Sequence, residues 1–462
     1  MDYFITLDDY YPCLLINDIL NLSLTKKLFS QHLFLYICKN FYFNITDDNG
    51  NHRTFRYYVP NLVSNVKSIN QLYEIMSSNI TYFSMFSSKF VPQQQFYVLS
   101  DFVTSICFDS DFNMPLTNLP KSINSLRTIS EKFNQSLDNL PNTVKFLEII
   151  ESEYFDQSLD NLPNSIQIIW IRSGEFNQSL DNLPPSIKEF IFEHCADGDF
   201  FNQFLDHLPN SINRLKIISH CFNQIVDNLP NSITVLSLGI VFNQPIDHLP
   251  TSIIKLTLGI NFNQPIDHLP TSLLILKLRG EFNQPIDHLP NSLRKLKFDN
   301  SEWSSYFGFG CNYEGFRQPI DYLPNSLIEL DINIIFNQPI DNLPNSIKRL
   351  SFGKSFNQLI DNLPNSIEWL SLGKSFNQSI DNLPNSIEWL SLGKSFNQSI
   401  DNLPNSIEWL SLGKSFNQSL NHLPKSVINL TLFNLNYLVD LNSNLRNTSI
   451  RIYFGEILYN PP

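Results

Sequence analysis

At 462 residues the chain is longer than one hydrophobic core ordinarily supports, so it is either several globular domains or a repeat with a linear core. Its formal charge of −13 argues against bulk nucleic-acid binding. It has no run of about 18 apolar residues of the kind that spans a membrane.

The six cysteines (Cys13, Cys38, Cys107, Cys195, Cys221 and Cys311) include no Cys-x-x-Cys pair. They fit free thiols in the cytoplasm better than a disulfide frame or a zinc site. The acidic start (Asp2, Asp8, Asp9) is unlike a secretory leader.

Residues 1–50 do not repeat. Apolar clusters at Ile16, Ile19, Leu20 and at Leu33, Tyr36, Ile37 predict a small set of helices. The opening Pro12, Leu14, Ile16, Ile19 and the ending Cys38-Lys39-Asn40-Phe41 resemble an F-box, with Tyr11-Pro12 in place of the usual Leu-Pro. That resemblance implies docking on the adaptor subunit of a cullin-type ubiquitin ligase through Pro12, Leu14, Ile16, Ile19 and Leu20. A plain cap over the first repeat is the alternative. Residues 51–98 mix aromatic and polar residues, with a short helix expected near 70–77. They read as a connector whose later part closes the repeat array.

Residues 99–437 are the array. The 20-residue stretch 361–380, DNLPNSIEWLSLGKSFNQSI, returns letter for letter at 381–400 and with Leu420 as its one change at 401–420. Ile367, Leu370 and Leu372 are spaced i, i+3, i+5, which is no helical stripe; the last pair alternates as in a strand. Pro364 sets an extended entry and Gly373 ends the strand. One such unit cannot bury its own apolar side, but stacked neighbours can. Leu363, Ile367, Leu370, Leu372, Phe376 and Ile380 are the expected inward rows.

The Phe-Asn-Gln-Pro-Ile motif at 242–246, 262–266, 282–286 and 336–340 resembles the FNIP-repeat family within the leucine-rich-repeat class, and the second half, Leu-Pro-Asn-Ser-Ile-x-x-Leu-x-Leu, is similar to the short repeats of some bacterial effectors. The resemblance covers about three quarters of the chain. It implies a mainly β solenoid: a leucine-rich-repeat-like parallel β stack of about 15 short units, 20–22 residues each, beside a small helical N-terminal region. Ser375 stands where ordinary leucine-rich repeats carry their asparagine, and Asn377 comes two residues later, so the usual asparagine ladder is not expected. The spelling is most similar to FNIP-repeat proteins of giant amoebal viruses, with slime-mould proteins next. A viral origin implies a host protein as partner.

Two intervals in the phenylalanine row are long. Phe176 to Phe201 is 25 residues, and Phe282 to Phe316 is 34, the second holding the insertion 300–315. An insertion must leave a solenoid as a loop, and Trp303, Tyr306 and Phe309 suit this one to partner contact or to folding back on the flank. Residues 438–462 read as a terminal cap.

On the exposed strand face a basic strip (Arg214, Lys216, Lys255, Lys277, Lys295, Lys297) is a candidate for binding an acidic peptide, or else a set of ordinary solvated strand residues that balance the Asp row. Trp369, Trp389 and Trp409, about 5 Å apart if in register, form a candidate aromatic ladder for a protein partner, or else stabilise the sheet by stacking. The Asp row (Asp247, Asp267, Asp287, Asp341, Asp361) is expected to accept N–H bonds in its turns rather than to bind calcium. His248, His268 and His288 alternate with Asn at one position and read as solvated turn residues rather than zinc ligands. No cofactor and no catalytic centre are expected. The expected function is a non-enzymatic protein-interaction scaffold, with a ligase substrate receptor and a free-standing structural or decoy protein as its two forms. A hydrolase hidden at an insertion is the distant third.

Overall fold

A strand of four to six residues gains stability only when its neighbours continue the sheet. The computed structural model describes the strands at 42–46, 52–58 and 82–85, residues 104–433 apart from 111, 118, 194–197, 281 and 300–314, and the strands at 449–454 and 457–459. The chain is a leucine-rich-repeat-like parallel β-solenoid of about 15 turns. It divides into two units, residues 1–220 and 221–462.

In the first unit, β1 (Tyr42–Thr46), β2 (His52–Tyr58) and β3 (Tyr82–Met85) pair antiparallel. β3 then pairs parallel with β4 (Ser105–Ser110), so parallel pairing begins one strand before residue 99. β5 (Ser125–Ser130), β6 (Phe146–Ile150), β7 (Ile168–Arg172), β8 (Glu189–Glu193) and β9 (Arg214–Ile218) follow, each parallel to the one before.

The second unit runs through β10 (Val235–Leu238), β11 (Lys255–Thr257), β12 (Ile275–Leu278), β13 (Lys295–Asp299), β14 (Glu329–Asn333) and β15 (Arg349–Phe352). It continues through β16 (Trp369–Leu372), β17 (Trp389–Leu392), β18 (Trp409–Leu412), β19 (Asn429–Leu432) and β20 (Ser449–Phe454), all parallel and in register. β21 (Ile457–Tyr459) turns back antiparallel on β20.

Among the described residues there is no helix, and those described before residue 99 are strands, so the expected helical N-terminal region has no support there. Residues 1–41 and 70–77, and with them Pro12, Leu14, Ile16, Ile19 and Leu20, lie outside the described residues.

A few devices recur along the turns of the solenoid. The Ile367 N–H donates to the Pro364 carbonyl at 3.3 Å, closing the Pro-Asn-Ser-Ile turn that feeds the strand. Within that turn the Ser366 hydroxyl donates to the Ile347 carbonyl of the preceding rung at 2.7 Å. After the strand, the Phe376 N–H donates to the Gly373 carbonyl at 3.3 Å. Gly373 is there for clearance as well as to end the strand: a Cβ on it would lie 2.1 Å from the Gly353 carbonyl oxygen. The first unit uses a buried serine at this point, and Ser173 donates to the Phe155 carbonyl at 2.8 Å.

The expected inward rows are buried, among them Ile367, Leu370, Leu372 and Phe376. Phenylalanines stack rung on rung, as in Phe376–Phe396 at 6.2 Å and Phe396–Phe416 at 6.1 Å between centroids. The stack bridges the long insertion without a break, Phe282 to Phe316 at 6.2 Å. Parallel strands lie ~4.8 Å apart, so within the second unit neighbouring rungs are closer at the strand face than at the phenylalanine row.

Candidate functional site: the strand face of the second unit

Side chains alternate across each strand, so Leu370 and Leu372 point inward while Trp369 and Ser371 point out. Register then turns residue types into rows. Trp369, Trp389 and Trp409 are Cα partners across β16, β17 and β18. Trp369 and Trp389 stack with centroids 4.4 Å apart and planes 11° from parallel. Trp409 is in register but departs from the expected three-ring ladder. It is outside this stacked pair and 40% exposed. Beside the tryptophans runs a column of exposed glutamates, Glu368, Glu388 and Glu408.

The basic strip is not a strip of bare cations. Lys295 Nζ lies 2.6 Å from Glu329, and Lys297 Nζ lies 3.1 Å from Glu329 and 3.2 Å from Asp331. In the first unit, Lys216 pairs with Glu193 at 2.5 Å and Arg214 with Glu189 at 3.7 Å. Lys255 and Lys277 also have partners. The pairing carboxylates lie one rung away, and Glu189, Glu329 and Asp331 stand in the same rows as their cations.

The pairing marks the acid–base behaviour of this face. Burial would lower the Lys297 pKa, but hydrogen bonds and charge from Glu329 and Asp331 outweigh it and raise it above its ordinary 10.5. Burial would likewise raise Glu329, yet Lys295 and Lys297 hold it below its ordinary 4.5.

The opposite edge, along the turns, carries polar ladders. Asn377 Oδ1 accepts the Asn397 N–H at 2.8 Å, and Asn397 Oδ1 accepts the Asn417 N–H at 2.9 Å. An asparagine ladder therefore exists, counted from the phenylalanine rather than from the last strand leucine. Asp156 fills the same role in the first unit, accepting the Asn177 N–H at 3.0 Å.

The Asp row accepts chiefly from the next rung: Asn382 Nδ2 donates to Asp361 Oδ1 at 3.1 Å. His268 Nδ1 lies 3.2 Å from Asp247 Oδ1, so histidine Nδ1 and asparagine Nδ2 present a donor to the same acceptor, which explains their exchange. A hydrogen bond from His422, then one from Ser399, holds the Asp401 carboxyl below its ordinary range. Among the described residues no group of three or more His, Cys, Asp or Glu is placed to hold a metal ion. Among them no helix is long and apolar enough to cross a membrane.

The first insertion ends in a polar cluster the sequence did not disclose. Asp199, its side chain fully buried, accepts the Ser219 hydroxyl, the His220 N–H at 2.7 Å and the Phe201 N–H at 3.3 Å. Ser219 is itself fully buried and also donates to the Phe201 carbonyl at 2.9 Å, and His220 Nδ1 lies 3.3 Å from Asp199 Oδ2, so the cluster tethers the loop to the following rung. Trp303, Tyr306 and Phe309 lie outside the described residues.

Comparison with known proteins bears on the repeat. The FNIP Repeat model matches residues 222–261, 242–278, 262–301, 336–375, 359–395 and 376–415, so these stretches are FNIP repeats. The chain is similar to CroV588, a circular LRR protein of a giant virus, at 35% identity and a TM-score of 0.61 over 77% of this chain. The match spans 56% of that protein's length. It is also similar in structure to YopM from Yersinia enterocolitica, at 18% identity and a TM-score of 0.47, covering 76% of this chain and 77% of that one. An LRR protein of Leptospira interrogans matches at 16% identity and a TM-score of 0.43, covering 78% and 92%. A comparison with curated protein sequences gives no match.

Proposed function

We propose that the chain is an FNIP-repeat interaction scaffold that binds a protein on the strand face of its second unit and carries no catalytic centre of its own. The observation that carries this is the in-register row Trp369, Trp389 and Trp409 at the surface, its last member 40% exposed. Tryptophan is the residue type most enriched among the anchors of protein interfaces, and here a rigid sheet fixes each one's position. Leucine-rich-repeat-type folds commonly serve as protein-binding surfaces, which agrees with this use. The finer form of the proposal is a cytoplasmic substrate receptor, in which residues 1–50 recruit a cullin-type ligase adaptor and the repeats select a host protein. A free-standing scaffold or decoy is the second form.

Affinity capture from host cytosol with the full chain tests the binding reading. Proteins retained by the native chain should be lost by W369S/W389S/W409S at an unchanged melting temperature. Retention of the same set by the variant contradicts it. Titration of the purified adaptor subunit against the full chain and against L14D/I16D separates the two forms: binding only by the native chain supports the receptor, and no binding at micromolar concentration leaves the scaffold alone.

A further inference from the structure

We infer that Trp409, with Glu388 and Glu408, forms a receptor for an arginine side chain of the partner; this rests on the scaffold reading above and specifies its chemistry. The starting observation is a gap in an otherwise regular pairing. Carboxylates described on the strands, or at the residue just before one, meet a cation one rung away. Glu148 pairs with Arg127 at 3.2 Å, Glu189 with Arg214 at 3.7 Å, and Glu193 with Lys216 at 2.5 Å. Glu329 and Asp331 share Lys295 and Lys297, and Glu368 pairs with Lys348 at 2.7 Å. Glu388 and Glu408 have no such partner among the described residues, and both are exposed.

Register forces them together. The Glu388 N–H donates to the Glu368 carbonyl at 2.9 Å and the Glu408 N–H to the Glu388 carbonyl at 2.8 Å, so the carboxylates form one column. Like charges directly opposite on adjacent strands destabilise a sheet. A cation supplied from outside would relieve that repulsion, as Lys348 does for Glu368.

The aromatic neighbour selects the kind of cation. Trp369 and Trp389 cover each other, whereas Trp409 stays 40% exposed. A guanidinium can stack flat on an indole while its N–H edge reaches carboxylates beside the ring. An ammonium is a point charge and gains less from a flat ring with lateral acceptors. Rungs drawn together at this face suit a slender or convex segment, not the same face of a second copy.

The test titrates the full chain with a blocked Gly-Arg-Gly-Arg-Gly peptide, following tryptophan fluorescence, beside its lysine and citrulline versions. The arginine peptide should saturate the signal and weaken as salt rises. The lysine version should bind several-fold more weakly, and the citrulline version should not bind. E388Q/E408Q should lose at least about tenfold in affinity without a fall in melting temperature, because the substitution removes repulsion. Equal binding of the citrulline version, an unchanged affinity of E388Q/E408Q, or no saturation by the arginine peptide up to about 10 mM would overturn the assignment. The capture experiment keeps the two readings apart. A partner lost by W369S/W389S/W409S but kept by E388Q/E408Q leaves the scaffold standing and ends the arginine receptor.

Discussion

Asn397 shows how one side chain does the work of a hydrogen-bonding strand where the backbone is irregular. Its Oδ1 accepts the Asn417 N–H at 2.9 Å and lies 3.2 Å from Gln418 Nε2, while its own N–H donates to Asn377. Any side chain with a carbonyl or carboxylate oxygen at this length can take the place, as Asp156 does. Asn397→Asp is therefore expected to leave stability within about 0.5 kcal/mol. Asn397→Leu should cost about 1–3 kcal/mol by orphaning the Asn417 N–H; urea unfolding of both variants measures the difference. The sequence makes this asparagine visible but not its role. Its distance from the last strand leucine differs from ordinary repeats, and only the structure shows that distance from Phe376 and Phe396 is what counts.

Rung-to-rung pairing belongs to the element scale, and there the sequence was legible in one half only. Alternation placed the strands and their inward rows because burial has a period that can be read off Leu370 and Leu372. Ion pairs have no such local trace: Lys297 and Asp331 are 34 residues apart and meet only because β13 and β14 are in register across the insertion. The surface strip therefore read as basic when it is largely neutralised. Its pH dependence follows from signs. Glu329 is held below 4.5, so its contribution is present above that pH and is lost as pH falls through its folded value. Lys297 is raised above 10.5, so its contribution is present below that pH and is lost as pH rises through its folded value. In E329Q the acid-side fall in melting temperature should be smaller than in the native chain; an equal fall below pH 4.5 would place the sensitivity elsewhere.

For the molecule as a whole, stability in a stack of this kind is close to a sum of rungs and the contacts between neighbours. The repeated units were plain from three near-identical copies of 20 residues, and the 34-residue interval was correctly read as an insertion the rungs step over. The N-terminal end was less legible, because a cap has no period: β1 falls within the stretch expected to be helical, and β2 and β3 stand where a connector was expected. If one rung copied by translation is the true unit, the length of a deletion matters more than its content. Removing residues 381–400 from the full chain brings Phe376 beside Phe416 and Trp369 beside Trp409 in unchanged register, whereas removing 381–390 leaves half a rung. The thermal melts of these two deletions, followed by circular dichroism, test this most directly. The account predicts a folded, cooperative transition for the 20-residue deletion and loss of it for the shorter one; equal damage from both, or a better-folded 10-residue deletion, would contradict it.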